Sequence, residues 1–210
     1  DKVHISTTDH ASSGVYVSTP QASREKADVQ VRYSVDNDGS RDAAIAVEVC
    51  IADKKGNVVA KETQNYKLKP GKSVLASEML SIQHPQLWTP DMPNLYSVTV
   101  KVTDRSRKQV VDCVEVPLGV RWFALDAERG FLLNGEPLKL MGVSRHQDQY
   151  PLGIALTDEM HRRDVKMIKE MGANFLRLAH YPQDEAVLRA CDELGLLVWE
   201  EVSLVDLIAL

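Results

Sequence analysis

Cysteine is scarce and unpaired in this sequence: Cys50, Cys113 and Cys191 are an odd three, and no two of them stand as C-x-x-C. That pattern excludes a zinc ribbon and a disulfide scaffold. Eleven Gly and nine Pro in 210 residues are too few for collagen-like or proline-rich sequence. No apolar run nears the roughly 18 residues that a membrane-crossing helix needs, so no membrane partner is expected. Positive charge is not in excess either. Lys and Arg number 25 against 30 Asp and Glu, for a net charge of -5 and a pI near 5.7. That balance argues against nucleic acid as a main partner. The first residue, Asp1, is not Met, and no basic-then-apolar segment follows it, as in a processed product or a trimmed piece. The cellular compartment is not legible.

What is present is ordinary for a globular chain, 44% hydrophobic and 26% charged. At roughly 100–200 residues per domain the length allows one large domain or two small ones. In residues 1–120 apolar side chains recur at every second position. Val29, Val31, Tyr33 and Val35 form one such row, Ile45, Val47, Val49 and Ile51 a second, and Tyr96, Val98, Val100 and Val102 a third. Period two is the mark of strands that bury one face. The connectors carry turn chemistry: Asp36-Asn37-Asp38-Gly39, Asp53-Lys54-Lys55-Gly56-Asn57 and Lys69-Pro70-Gly71. An antiparallel sandwich of immunoglobulin type is predicted. His4, His10 and His84 are isolated and read as surface or turn residues. The segment from His84 to Tyr96 holds Pro85, Pro90 and Pro93, and reads as a rigid loop that buries Trp88 and Tyr96.

From Leu138 the period changes to strand, helix, strand, helix, strand. Leu138–Ser144 is a first apolar run. Thr157 is an N-cap candidate, with Asp158 and Glu159 where a helix dipole favours acids. Val165, Ile168 and Met171 then share a face, and Gly172 is a stop. Asn174-Phe175-Leu176-Arg177-Leu178 is the next strand. Val187, Ala190, Cys191 and Leu194 lie on one face of a second helix, where Cys191 reads as a small buried hydrophobe. Gly195 ends that helix, and Leu196-Leu197-Val198-Trp199 is the third strand. Alternation of this kind means parallel strands with helical crossovers. Three strands and two helices make an incomplete layer, so a fragment of something longer is expected. Its unpaired strand edge predicts self-association, or disorder after about residue 199.

In parallel β/α barrels chemistry gathers where strands end. Those ends are polar here: Arg145-His146-Gln147-Asp148, His180-Tyr181-Pro182 and Glu200-Glu201. A solvated loop face, with His180 capping the following helix, would explain them blandly. A shared binding rim of Arg145, His146, His180 and Glu201 is the sharper expectation. Glu200 and Glu201 are neighbours in a strand and must point to opposite faces. Glu201 is therefore expected in the rim network and Glu200 toward the helices or solvent. The parity of Arg177 is open.

Gly130-Phe131-Leu132-Leu133-Asn134-Gly135 followed by Gly142-Val143-Ser144-Arg145-His146 resembles the barrel entry of glycoside hydrolase family 2. Asn174 through Pro182 resembles the signature around that family's second barrel strand, and Cys191 through Glu201 continues it. Leu87-Trp88-Thr89-Pro90 through Tyr96, with Gly119-Val120-Arg121, resembles the end of its immunoglobulin-like domain. The resemblance implies a β-sandwich over 1–120 and the opening of a TIM barrel over 121–210, without the jelly roll and the later barrel strands. It implies a retaining hydrolase of β-galactosides or related β-glycosides. The acid/base and nucleophile glutamates would lie beyond residue 210, leaving this chain inactive alone. His146 and His180 would be substrate-side donors, while Arg145 and Arg177 would position carboxylates. Val202 to Leu207 lacks the Glu-x-His that some β-galactosidases use for magnesium, so no metal and no cofactor are expected, and Asp206 reads as a loop acid. A carbohydrate is the implied partner. The alternative is a non-catalytic carbohydrate-binding or scaffold module.

Overall fold

The structure, a computed structural model, describes residues 1–8 and 12–203; His10 and Asp206 lie outside the described residues. It is mostly strand, with two short helices, and divides into two compact units. Asp1–Gln86 with Leu95–Val120 makes one unit, and Leu87–Asn94 with Arg121–Leu210 the other.

The first unit holds β1 (Val3–Ile5), β2 (Val15–Ala22), β3 (Lys26–Asn37), β4 (Ala43–Ala52), β5 (Val58–Leu68), β6 (Lys72–Gln83), β7 (Tyr96–Asp104) and β8 (Gln109–Leu118). They form two four-stranded antiparallel sheets. In one, β3 pairs β1 and β2 along one edge and β6 along the other; the second runs β5-β4-β7-β8. The rows of period two are the buried faces. Val29, Val31, Tyr33, Val35, Ile45, Ile51, Val98, Val100 and Val102 are all 0% exposed. Register places Val49 opposite Val100 and Ile51 opposite Val98, so β-branched pairs meet across strands. Tyr33 has the one polar tip among them. Its hydroxyl lies 3.0 Å from that of Tyr66 on β5 and donates to Glu78 Oε1 on β6 at 3.1 Å. Burial, with the bond to Tyr66 second, keeps that phenol protonated far above its ordinary range.

The second unit opens with β9 (Phe123–Asp126), β10 (Gly130–Leu133) and β11 (Glu136–Pro137), a small antiparallel sheet the sequence reading did not separate. Then come β12 (Gly142–Arg145), α1 (Asp158–Glu170), β13 (Phe175–Leu178), α2 (Glu185–Leu194) and β14 (Leu197–Glu200), with β12-β13-β14 parallel and in that order. The first parallel strand is shorter than the Leu138–Ser144 run: over Lys139–Met141 the Asn174 side chain substitutes for a ladder, donating to Lys139 O at 2.9 Å and accepting from Met141 N at 2.8 Å. Thr157 caps α1, accepting from Met160 N. Val165 is fully buried, but Met171 is the C-cap residue and is exposed, not on the core face. Leu176 and Leu178 pack with Val165, Val187, Ala190 and Cys191 between sheet and helices. That setting pushes the Cys191 thiol up to about 12, chiefly by burial.

A strap, Leu87–Asn94, belongs to this unit although the chain reaches it between β6 and β7. The two units change over at Val120/Arg121, with this strap as the one segment out of sequence order. Trp88 is fully buried and donates its indole N–H to Asp192 O at 2.8 Å. The Arg121 guanidinium lies 4.4 Å over its ring, and Asn134 Nδ2 donates to Trp88 O at 3.0 Å. Lys169 Nζ donates to both Pro90 O and Gly195 O at 2.9 Å. Gly195 ends α2 at φ 81°, where a side chain is strained. A Cβ there would also stand 2.1 Å from Pro90 O.

Candidate active site

Register decides which side chains leave the parallel sheet on which face. Ser144, Arg177 and Trp199 align as one row, and Arg145, Leu178 and Glu200 as the next. Leu178 faces the helices, so its row does too, and the Ser144–Arg177–Trp199 row faces away from them.

On that free face, three ionisable side chains meet. Arg177 Nε donates to Glu201 Oε1 at 2.6 Å. His180 Nδ1 lies 2.9 Å from Glu201 Oε2 and 3.4 Å from Arg177 Nη2. One ring nitrogen cannot serve both as donor and as acceptor, and the shorter contact to a carboxylate decides: Nδ1–H donates to Glu201. Nε2 is then the ring nitrogen without a proton. The Arg177 bond, with the His180 bond behind it, holds the Glu201 carboxyl below its ordinary range. Arg177 Nη1 also reaches Ser144 Oγ at 3.4 Å. The His146 ring is 5.2 Å from that of His180, edge to face, and 6.1 Å from Tyr181. The sheet thus offers two imidazoles, a guanidinium and an ionised carboxylate at one mouth, a set suited to hydroxyl-rich or anionic ligands.

Three of the four rim residues expected from sequence, His146, His180 and Glu201, come together there. Arg145 does not. It is 6% exposed on the helix side, where its Nη2 donates to Asp164 Oδ2 at 2.8 Å and lies 3.0 Å from His161 Nδ1. Its Nη1 donates to Gln183 Oε1 at 2.6 Å. Its row in the sheet is the reason, and Arg177 takes the mouth position instead. Alternation against Leu176 and Leu178 carries that signal, once those leucines are known to face helices. Glu200 sits helix-side, accepting from Gln183 N at 3.2 Å. His161, Asp164 and Gln183 were not singled out from the sequence; only the fold brings them to the strand ends. His4 lies apart in the first unit, 3.9 Å from Asp38. Among the described residues no three His, Cys, Asp or Glu side chains gather as a metal site, and no helix is long and apolar enough to cross a membrane.

In parallel β/α barrels active sites sit at the C-terminal ends of the strands, where this mouth lies. The family model for glycosyl hydrolases family 2 matches residues 3–121, and that for its TIM barrel domain matches residues 125–209. The chain belongs to glycosyl hydrolase family 2. It is 37% identical over 206 residues to a β-glucuronidase of Bacteroides fragilis, covering 98% of this chain and 29% of that protein. It is 32% identical over 188 residues to a β-galactosidase of Bacteroides ovatus, covering 90% of this chain and 22% of that protein. A Bacteroides uniformis β-glucuronidase structure superposes with a TM-score of 0.96 at 43% identity, over 99% of this chain and 25% of that one. The chain therefore spans about a quarter of the length of its relatives.

Proposed function

We propose that these residues belong to a retaining β-glycosidase that hydrolyses β-glucuronides or β-galactosides. On this reading the first unit is an immunoglobulin-like sandwich and the second the opening of a TIM barrel. The observation that carries it is the Arg177–Glu201–His180 constellation beside His146, at the strand ends of a parallel sheet. Relatives of both specificities match. The greater identity to the Bacteroides uniformis β-glucuronidase favours a glucuronide over the galactoside suggested by the sequence alone.

The chemistry follows from the side chains. With its Nδ1–H fixed on Glu201, His180 presents Nε2 to a sugar hydroxyl, and a hydrogen bond there strengthens as oxocarbenium charge develops. His146 lines the same mouth. Arg177 keeps Glu201 ionised, and its part-exposed guanidinium supplies a positive field for carboxylates in the mouth. Neither Glu200 nor Glu201 suits the nucleophile or the acid/base, because each is engaged on its own side of the sheet. We assign that pair, which retaining chemistry sets about 5–5.5 Å apart, to sequence outside these 210 residues.

The test uses the intact protein that contains this chain, with 4-nitrophenyl β-glucuronide and β-galactoside. Hydrolysis of at least one is expected, and His180→Ala should cut kcat/KM on the order of 100-fold, the loss typical of removing one transition-state hydrogen bond. Full activity in that variant would overturn the role of His180. The 210-residue chain alone should release no nitrophenol.

A further inference from the structure

Beneath the mouth, on the helix side, two glutamine side chains tie the loop leaving β12 to the loop leaving β13. Gln183 is 8% exposed and bonds reciprocally with Arg145. Its Oε1 accepts from Arg145 Nη1 at 2.6 Å, and its Nε2 donates to Arg145 O at 2.7 Å and to Ala179 O at 3.4 Å. Its backbone N–H donates to Glu200 at 3.2 Å, so one residue touches the ends of all three parallel strands. Arg145 is itself pinned by Asp164 and by His161, which is 1% exposed. The second tie is Gln147, half-buried beside His146. Its Oε1 accepts from Asp184 N at 2.6 Å, and its backbone N–H donates to the Tyr181 hydroxyl at 3.2 Å.

We infer that Gln183 and Gln147 are positioning residues that hold the two exit loops in one arrangement, so that His180 meets Glu201 and stands against His146. The chain between the ties is short: His180, Tyr181 and Pro182 separate Ala179 from Gln183. With both ends of that span bonded to the β12 exit, the imidazole has little freedom to leave the carboxylate. Neither glutamine touches the mouth. Each acts through another residue, and a displacement of about 1 Å at a reacting group can cost on the order of 100-fold in rate. The kinetic consequence rests on the glycosidase reading above; the geometric one does not.

The experiment is made in the intact protein with three variants. Gln183→Glu keeps the acceptor for Arg145 but turns the amide donor into an oxygen facing two carbonyls. Gln183→Met keeps bulk and removes all three side-chain bonds. Gln147→Ala lies at a half-buried position, where truncation is expected to leave the fold intact. The readouts are the Nδ1–H proton signal and ring 15N shifts of His180 by NMR, which report its bond to Glu201, kcat and KM on the active nitrophenyl glycoside, and Tm. Freed from Glu201, the His180 Nδ1–H signal should lose its downfield, exchange-protected position, and kcat/KM should fall roughly 10- to 100-fold, mostly in kcat. A lowered Tm with an unchanged His180 Nδ1–H signal and unchanged kinetics would make the network purely structural and overturn the proposal. If the Gln183 variants do not fold, Gln147→Ala decides by the same criteria. If the parent protein cleaves neither glycoside, the glycosidase reading fails, and the His180 Nδ1–H signal alone decides the positioning role.

Discussion

Two carboxylates in the second unit show how the setting, not the residue type, fixes charge. Glu201 is held below its ordinary range by Arg177 and then His180. Its folded value is depressed, so the stability it adds is present above the unfolded carboxylate range and is lost as pH falls through the folded value. Glu201→Gln should therefore lower Tm at pH 7 by a small amount, since the pair is partly exposed. The gap between variant and parent should close below about pH 4, which a series of thermal melts would read. Asp192 behaves in the opposite sense. Burial raises it, and the Arg121 pair offsets that only in part. A carboxyl raised on folding makes the folded state less stable as pH climbs from the unfolded value through the folded one. Asp192→Asn should then be no less stable than the parent at pH 7. Its relative advantage should shrink as pH falls into the range where the aspartic acid is protonated, and a large loss of Tm at neutral pH would contradict this. Neither behaviour is readable from sequence, because Arg121 and Asp192 lie 71 positions apart and Arg177 and Glu201 24.

At the scale of elements, legibility followed burial geometry. β3, β4 and β7 could be read because each buries one face, and Val29-Val31-Tyr33-Val35 or Ile45-Val47-Val49-Ile51 can alternate for only one physical reason. α1 and α2 were readable from caps and spacing, with Thr157 and Gly195 where a helix begins and ends. β9 and β10 were not, because each is four residues long and Phe123 and Leu125 stay exposed, so no polar alternation marks them. The side of Arg145 was misassigned because a polar residue at a strand end is equally plausible on either face until register is known. The strap was readable as rigid but not as part of the second unit, since its partners, Asn134, Lys169 and Asp192, are 46–104 residues away in sequence or brought close by the helices. Its energetic role is testable. Trp88→Ala should cost about 3–5 kcal/mol for a buried aromatic. Gly195→Ala should cost at least the roughly 1–2 kcal/mol of a left-handed residue, with the clash against Pro90 added. Hydrogen exchange should show both losses in α1 and α2, with β3, β4 and β7 keeping their protection. In the first unit, Tyr33→Phe should cost only about 1 kcal/mol, because Tyr66 still donates to Glu78 at 3.3 Å.

For the molecule as a whole, the second unit leaves apolar surface and strand edge open to solvent. Phe123 is 70% exposed, Leu125 82% and Trp199 62%. With Phe131, Leu140 and Phe175 they line a cleft of about 670 Å³. The Phe123 and Phe131 rings stack at 6.0 Å on one wall, which gives that wall a broad flat apolar face. Among the described residues β14 pairs only with β13, so its other edge carries free backbone donors and acceptors beside this cleft. An open edge next to exposed aromatics is a template for strand addition and for burial against a second copy. The 210-residue chain on its own is therefore expected to self-associate at micromolar concentration, with sedimentation velocity showing dimers or larger species. Leu125→Lys with Trp199→Lys removes two of the most exposed apolar side chains without touching the buried core between sheet and helices. The double variant should sediment mainly as a monomer while keeping the parent's far-UV circular dichroism. Added salt should not dissolve the parent's association, because apolar burial rather than charge drives it. A parent chain that runs as a clean monomer, or a double variant that associates as strongly as the parent, would place the driving force elsewhere than this face.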